Sequence, residues 1–209
     1  MQESIFSAIY ISLYVSIIST LTSFVFSFPL SVFIVIKKFK LKSILITVIN
    51  ALTSIPPVCA GLICYLAVSR SGPLGWMEIL YTPYAMMIAQ FIIIMPIILS
   101  LIIRNLEEEY PLFEEEFRSY GAKYFQILKL LLLNKYKVYF TIGIIGFGRA
   151  ISEYGAASIV GGSIDNVTRN ITSTIAQETS KGNLFFALKL GIVLLTISFI
   201  LSLFSNIKK

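Results

Sequence analysis

Long apolar runs, separated by short polar or charged segments, dominate the hydrophobic pattern of this 209-residue chain. Five of these runs are long enough to cross a bilayer as helices, because about 20 apolar residues span its hydrocarbon core. The pattern therefore predicts an all-α, polytopic membrane protein with one transmembrane domain over residues 1–209. The predicted spans are residues 5–36, 43–68, 83–103, 138–160 and 184–204, and the charged segment between the third and fourth spans covers residues 104–137.

Two of these spans carry features that interrupt a straight helix. Residues 5–36 would reach roughly 48 Å as one helix, so we expect tilt, a bend near Pro29 or an interfacial N-terminal part. In the second span, Pro56 and Pro57 lack amide donors and should break the helix. Such a break has to face protein or a water-filled path, which makes the pair a candidate for a translocation path. A packing kink is the alternative.

The charged segment between the third and fourth spans has the periodicity of a helix. Phe113, Phe117 and Tyr120 lie at i, i+4 and i+7 and form one apolar stripe, which needs a protein groove. Pro111 is suited to a first helical position, and Gly121 to a left-handed residue that ends a helix. We therefore predict a short helix, a hinge glycine and a second amphipathic helix that returns to the membrane. The apolar face of the second helix comprises Tyr124, Leu128 and Leu131.

Part of this segment, EEEFRSYGAKYFQILKLLLLN, resembles the cytoplasmic "EAA" loop of permease subunits of ATP-binding-cassette (ABC) importers. The pattern of that loop is E-A-A-x3-G-x9-I-x-L-P. Gly121 and Glu115 match its glycine and glutamate, Leu131 and Leu133 take the places of its isoleucine and leucine, and the spacing is kept. The departures from the pattern are Glu116 and Phe117, which replace the two alanines, and Asn134, which replaces the proline.

Composition narrows the function classes. With 56% hydrophobic residues, 13% charged residues and a mean hydropathy of +0.84, the chain lies in the polytopic membrane class. Histidine is absent, which excludes a serine–histidine or cysteine–histidine nucleophile and histidine metal ligation within the chain. Cys59 and Cys64 have neither a metal-ligand nor a disulfide spacing. We expect no cofactor, no metal and no enzyme activity, with a membrane-embedded enzyme or an ATP-independent channel as distant alternatives.

The basic residues predict the orientation. Although the formal net charge is +6, most lysines and arginines lie at the ends of apolar runs, where a bilayer explains them better than nucleic acid does. If residues 37–42, 104–137 and the C-terminal tail lie inside, that side has 12 basic residues and the other side has 3. The positive-inside rule then predicts an outside N-terminus and a cytoplasmic C-terminus. The three outside residues are Arg70, Arg169 and Lys181.

The fourth span carries two ionisable residues. Arg149 lies near its middle, where a lone arginine costs about 2.5 to 3.5 kcal/mol on insertion scales, so its side chain should face protein or water. Glu153 lies one turn away on the same helical face, and an i, i+4 ion pair would cancel most of the charge. The sequence leaves open whether Arg149 belongs to a structural pair or contacts a transported anion directly.

The sequence around this pair, GRAISEYGAASIVGGSIDNVTRNITSTIAQETSKGNLFFALKLGIVL, resembles the permeases of molybdate, tungstate and sulfate importers. In those proteins an R-x-x-x-E-x-G-A segment runs into a Gly-Gly loop. The continuation ITSTIAQETSKG is most similar to the tungstate branch, and the paired prolines of SIPPVCAGL add a further likeness. The usual molybdate permease has an additional N-terminal span, which this sequence lacks.

The resemblance implies a role and a set of partners. It implies the permease subunit of an importer in a bacterial or archaeal cell membrane, acting as a homodimer with two ATPase subunits and an extracytoplasmic oxyanion-binding protein. Tungstate is the expected substrate, with molybdate or sulfate as alternatives. Because the chain has no G-x-x-x-x-G-K-[ST] phosphate loop, ATP hydrolysis is expected of the partner subunits.

The resemblance also places functional residues. The expected ATPase-coupling residues are Phe113, Glu115, Phe117, Tyr120, Gly121 and Ala122. The expected residues of the translocation pathway are Pro56, Pro57, Arg149, Glu153, Gly155, Ser158, Gly161, Gly162 and Ser163.

Overall fold

The computed structural model describes residues 2–37 and 39–206, and this part of the chain is helical apart from its connections. Lys38 and the two C-terminal lysines, which the orientation prediction counts on the inside, lie outside the described residues. A 3₁₀ turn at Gly75–Met77 lies between the third and fourth helices. The helices are α1 (Gln2–Ile36), α2 (Lys42–Leu52), α3 (Pro57–Val68), α4 (Pro83–Ser119), α5 (Tyr124–Asn134), α6 (Tyr136–Ile151), α7 (Gly155–Gly161), α8 (Ile171–Ser180) and α9 (Leu184–Asn206).

The prediction of a polytopic, all-α membrane protein is confirmed. Within the described residues, α1, α4 and α9 are each long and apolar enough to cross a bilayer. Two further spans are bent, since α2 and α3 meet at 98° and α5 and α6 meet at 67°. Counting each bent pair as one span gives up to five spans. The bend between α2 and α3 falls at residues 53–56, where the proline pair interrupts the helix.

Several boundaries differ from what the sequence suggests. α1 continues as one helix through Pro29. α4 continues through Pro111, so the predicted separate short helix of the charged segment is wrong, and that stretch extends the third span. The carbonyl group that Pro111 leaves without a donor belongs to Glu107, which lies at an exposed position where water can bond to it. The predicted fourth span, residues 138–160, is interrupted at residues 152–154, between α6 and α7, although no proline marks that position. The bent span that the structure has in this region consists of α5 and α6.

Small hydroxyl side chains let α1 and α4 pack closely along their length. Small residues on one helix face allow close approach of helices within a membrane. Ser19 Oγ donates a hydrogen bond to the Met87 carbonyl at 3.3 Å, and Ser27 Oγ donates to the Met95 carbonyl at 3.2 Å. These two helices form the scaffold of the fold, with the largest helix contact of the described residues. Ala8, Ile11, Val15 and Ile34 are the buried apolar residues of α1, and its buried hydroxyl residues are Ser12, Ser16, Ser19, Thr20, Ser23, Ser27 and Ser31.

Apolar cores at both ends of the molecule share α4. One core joins α4 to α1, α3 and α7 and includes Met86 and Ala156. The other joins α4 to α5 and α6 at the charged end, where residues 104–137 lie, and includes Leu106 and Ile127. α4 therefore packs against the helices that contain the breaks and also against the helices of the charged end.

Candidate translocation and coupling sites

The two breaks in the predicted spans lie side by side. α3 begins at Pro57 and packs along α7, which begins at Gly155. A Cβ atom added to Gly61 would lie 2.6 Å from Ala156 Cα, and one added to Gly155 would lie 3.0 Å from Val58 Cγ2. The absence of side chains on these glycines therefore lets the two helices touch closely. The proline pair and the break in the predicted fourth span, which are 95 residues apart in the sequence (from Pro57 to Ser152), meet here.

The ion pair predicted from the i, i+4 spacing lies at this contact. Arg149 Nη1 donates to Glu153 Oε2 at 2.7 Å. The Glu153 side chain is 3% exposed, whereas the Arg149 side chain is 35% exposed. The other carboxylate oxygen accepts the Ala156 backbone N–H at 3.2 Å and so stabilises the first turn of α7. Glu153 is held inside the chain, while the guanidinium group of Arg149 has further donors to offer outward.

Two neighbours of the ion pair also face out of the chain at this depth of the span. Tyr154 is 46% exposed, and Ser152 is exposed as well, although its hydroxyl donates to the Gly148 carbonyl at 2.7 Å. Lipid cannot satisfy polar groups in the hydrocarbon core, so protein or water has to cover them. Because the break lies within the predicted fourth span, we expect its polar face to point toward protein or water and not toward lipid.

The remaining pathway candidates lie away from the ion pair. Ser158 Oγ donates to the Gly155 carbonyl within α7 at 3.0 Å. Gly161 is buried at the far end of α7, and Gly162 follows it with a φ of +67°, which favours glycine. Ser163 Oγ accepts a hydrogen bond from Gln177 at 3.1 Å. The structure thus gathers the proline pair, Arg149, Glu153 and Gly155 in one place, and puts the Gly-Gly loop one helix away from them.

The aromatic stripe at the charged end is only partly outward-facing. The Phe113 and Phe117 rings lie 5.7 Å apart and pack, half-buried, against the core between α4 and α5. Tyr110 and Tyr124 lie beside them, with their rings 6.2 Å apart. By contrast, Tyr120 is 80% exposed. Of the predicted stripe of Phe113, Phe117 and Tyr120, only Tyr120 is therefore fully available to a partner.

The turn after α4 has the conformation that its glycine predicts. Gly121 has a φ of +79°, which confirms the left-handed residue at the helix end. The Ala122 N–H donates to the Phe117 carbonyl at 3.1 Å and closes the turn. The first turn of α5 then presents Phe125, which is 77% exposed. Tyr120 and Phe125 therefore flank the turn as two exposed aromatic side chains, and Glu115 is exposed on the adjoining part of α4.

Comparison with known proteins decides the family. No family model matches the chain. The tungstate uptake system permease protein TupB of Peptoclostridium acidaminophilum is 38% identical over 196 residues, which are 93% of this chain and 86% of the relative. TupB of Campylobacter jejuni is 34% identical over 175 residues, covering 81% of this chain and 71% of the relative. A probable anion ABC transporter permease protein of Haloferax volcanii is 34% identical over 175 residues, covering 81% and 75%. The chain belongs to the anion permease family of ABC transporters.

Family membership makes the permease a transport subunit and not an enzyme. Among the residues that the structure describes, no three cysteine, aspartate or glutamate side chains are grouped so that they could hold a metal ion. The ion pair and the exposed aromatics are the candidate functional groups of this transport subunit.

Three residues of the permease that support these sites were not indicated by the sequence pattern. Gln90 of α4 is 2% exposed and donates through Nε2 to the Ala150 carbonyl at 3.1 Å, at the end of α6. Thr172 of α8 donates to the Glu153 carbonyl at 3.1 Å. Together they hold the broken span from two sides. The third residue is Phe125 of α5. The sequence signal for Gln90 is a polar amide in the middle of an apolar run, and the signal for Phe125 is an aromatic residue that lies off the apolar face of α5.

Proposed function

We propose that the permease translocates a tetrahedral oxyanion, tungstate, into the cytoplasm as the membrane-spanning subunit of an ATP-driven importer. The two relatives named as tungstate uptake permeases, which match 93% and 81% of the chain, support this substrate. The observation that carries the mechanism is the Arg149–Glu153 pair at the junction of two broken spans. All 209 residues act as one transmembrane domain in this proposal.

The pathway in this proposal runs past the polar face of the break. A doubly charged anion in a low-dielectric path needs donors, but a cluster of cations would bind it too tightly for release. Arg149 supplies one cation whose charge Glu153 partly balances, so its attraction for the anion is moderate. The Ser163 hydroxyl, which accepts from Gln177 and keeps its own hydrogen for donation, would form a further weak site along the same route, next to Gly161 and Gly162.

The polar face also supports a homodimer. Arg149, Ser152 and Tyr154 point out of a single chain within a predicted span, and lipid cannot satisfy them. A second copy placed across a two-fold axis would enclose these groups in a shared path. Each copy would then contribute one Arg149 to the route of the anion.

The charged end is the docking surface for the ATPases in this proposal, and it faces the cytoplasm. Its exposed aromatics, Tyr120 and Phe125, are suited to a groove on an ATPase subunit. Phe113 and Phe117 pack half-buried against the core between α4 and α5, and Glu115 is exposed on the adjoining part of α4. Gly121 and Ala122 set the direction of α5. Two ATPases would bind one dimer here, and an extracytoplasmic oxyanion-binding protein would dock at the opposite end. The N-terminus then lies outside and the C-terminus in the cytoplasm.

Reconstituted vesicles can test function and orientation together. The permease, its ATPase and its binding protein are combined, with Ser119→Cys or Ser163→Cys in a Cys59→Ala, Cys64→Ala background. Labelling with an impermeant thiol reagent reports which face points outward. We expect tungstate to cross only when ATP is on the side of residue 119, and tungstate with the binding protein is on the side of residue 163.

Each departure from this result has a separate meaning. Transport driven by ATP on the side of residue 163 would reverse the orientation. Transport that needs no ATPase would indicate a channel. ATP-dependent movement of sulfate or molybdate without tungstate would change the substrate and leave the importer class standing.

A further inference from the structure

The part of α4 that lies within the charged segment is called here the cytoplasmic extension of α4. Two lysines from outside the helix form ion pairs with this extension. Glu107 Oε1 lies 3.1 Å from Lys42 Nζ, and Glu109 Oε1 lies 2.7 Å from Lys135 Nζ. Two residues correspond to about 200° of helix rotation, so these carboxylates point to nearly opposite sides of α4. The lysines therefore hold the extension from two directions.

Each lysine lies at the N-terminal end of a helix that leads to one of the two breaks. Lys42 is the first residue of α2, the cytoplasmic half of the span that bends by 98° at the proline pair. Its ammonium group also donates to the Val35 carbonyl at 3.1 Å, so it joins the end of α1 to the same point. Lys135 separates α5 from α6 at the 67° bend, and α6 leads directly to the break at residues 152–154.

Both ion pairs are partly shielded from solvent. The side chains of Lys42 and Glu107 are 28% and 40% exposed, and those of Lys135 and Glu109 are 31% and 24% exposed. On the same stretch of α4, Arg104 and Glu108 form an i, i+4 pair at 3.4 Å with 80% and 65% exposure. Shielded pairs resist screening by salt better than exposed ones do. Glu107 and Glu109 thus pair with residues outside α4, whereas Glu108 pairs within the helix and offers a matched control between them.

The two links lead to the same site. From Lys42, α2 runs to the proline pair and α3, and from Lys135, α6 runs to Arg149 and Glu153. α3 and α7 then meet again at Gly61 and Ala156. A displacement of the α4 extension would therefore reach the ion pair of the pathway along both broken spans.

We propose that the Lys42–Glu107 and Lys135–Glu109 pairs are the links through which movement of the α4 extension is passed to the two broken spans. The residues are positioning residues for transport, since none of them contacts the anion. This inference rests on the proposed function, because it assumes that an ATPase moves the charged end. The inference adds two specific ion pairs to the proposed function, and neither pair includes the exposed docking aromatics Tyr120 and Phe125.

Amide substitutions in the reconstituted complex test the links. The measured quantity is tungstate transported per ATP hydrolysed for Glu107→Gln, Glu109→Gln, the double variant and the control Glu108→Gln. We expect a loss of about threefold for each single variant, the size of a partly exposed ion pair, and of about tenfold for the double variant. The control should keep the wild-type ratio. All variants should still co-purify with the ATPase, since the links lie within the permease.

Charge exchange separates a link from a merely structural role. Lys135→Glu combined with Glu109→Lys, and Lys42→Glu combined with Glu107→Lys, should restore most of the ratio that the single amides lose. A wild-type ratio in the Glu107→Gln/Glu109→Gln variant would overturn the inference, and so would exchanged pairs that recover nothing. A wild-type complex that moves no oxyanion with ATP would overturn the proposed function and this inference with it.

Discussion

Replacing Glu153 by glutamine is expected to destabilise the permease by about 2 to 4 kcal/mol, because it leaves the Arg149 charge uncompensated at a mostly buried position. Glutamine keeps the shape of the side chain and a carbonyl oxygen for the Ala156 N–H. The loss of stability therefore measures the effect of removing the negative charge of Glu153 alone. Transport should fall by at least about tenfold, the size of a lost charged hydrogen bond in the pathway.

The double variant Arg149→Gln/Glu153→Gln separates a structural pair from an anion contact. Two neutral amides can bond to each other, so most of the lost stability should return. Transport should not return, because the partly exposed guanidinium group is the cation that the proposed pathway offers to the anion. Thermal unfolding in detergent and tungstate uptake by vesicles are the two measurements.

An exposed pair with the same spacing is the control. Arg104→Gln/Glu108→Gln removes an i, i+4 pair that is 80% and 65% exposed, and it should change stability by less than about 1 kcal/mol. Recovery of both stability and transport in the Arg149/Glu153 double variant would show that Arg149 is structural only. Unchanged stability in Glu153→Gln would show that the buried pair has no role in the fold.

Replacing Tyr120 or Phe125 by alanine is expected to weaken ATPase binding by about 2 kcal/mol or more, roughly a 30-fold change in affinity. Both side chains are more than three-quarters exposed, at 80% and 77%, so little of the chain's own packing is lost. Tyr84→Ala is the matched control, because Tyr84 is 61% exposed at the other end of the same helix. Binding is measured by titrating the solubilised permease with purified ATPase.

Gly121→Val should impair transport without weakening ATPase binding, unlike the two alanine variants. A β-branched residue at a φ of +79° is strained, so α5 would leave the turn in a different direction while the exposed aromatics remain. ATPase binding should persist and transport should fall. Wild-type binding in both Tyr120→Ala and Phe125→Ala would remove the turn as the docking surface.

The features that the sequence predicted are those whose cause is local. Pro56 and Pro57 break their span because each lacks an amide donor, wherever the chain folds. Gly121 ends α4 because few other residues adopt a positive φ. The Arg149–Glu153 pair follows from a spacing of four residues. None of these depends on which helices become neighbours.

The features that the sequence missed depend on tertiary contacts. The break at residues 152–154 has no proline and is held by Gln90 and Thr172 from other helices. Pro111 failed to start a helix because the carbonyl it leaves unbonded lies in an exposed stretch of α4. Phe113 was expected to face a partner, but α5 folds back and covers part of it, which leaves Phe125 on the outside.

Accumulation of tungsten by cells with and without this chain tests the central claim most directly. Tungsten, molybdenum and sulfate are measured in the cells at nanomolar to micromolar supply of each oxyanion. We expect cells that lack the permease to lose high-affinity tungsten accumulation while bulk sulfate uptake is intact, and we expect the wild-type gene to restore the loss. Unchanged tungsten together with a defect in sulfate or molybdenum accumulation would contradict it.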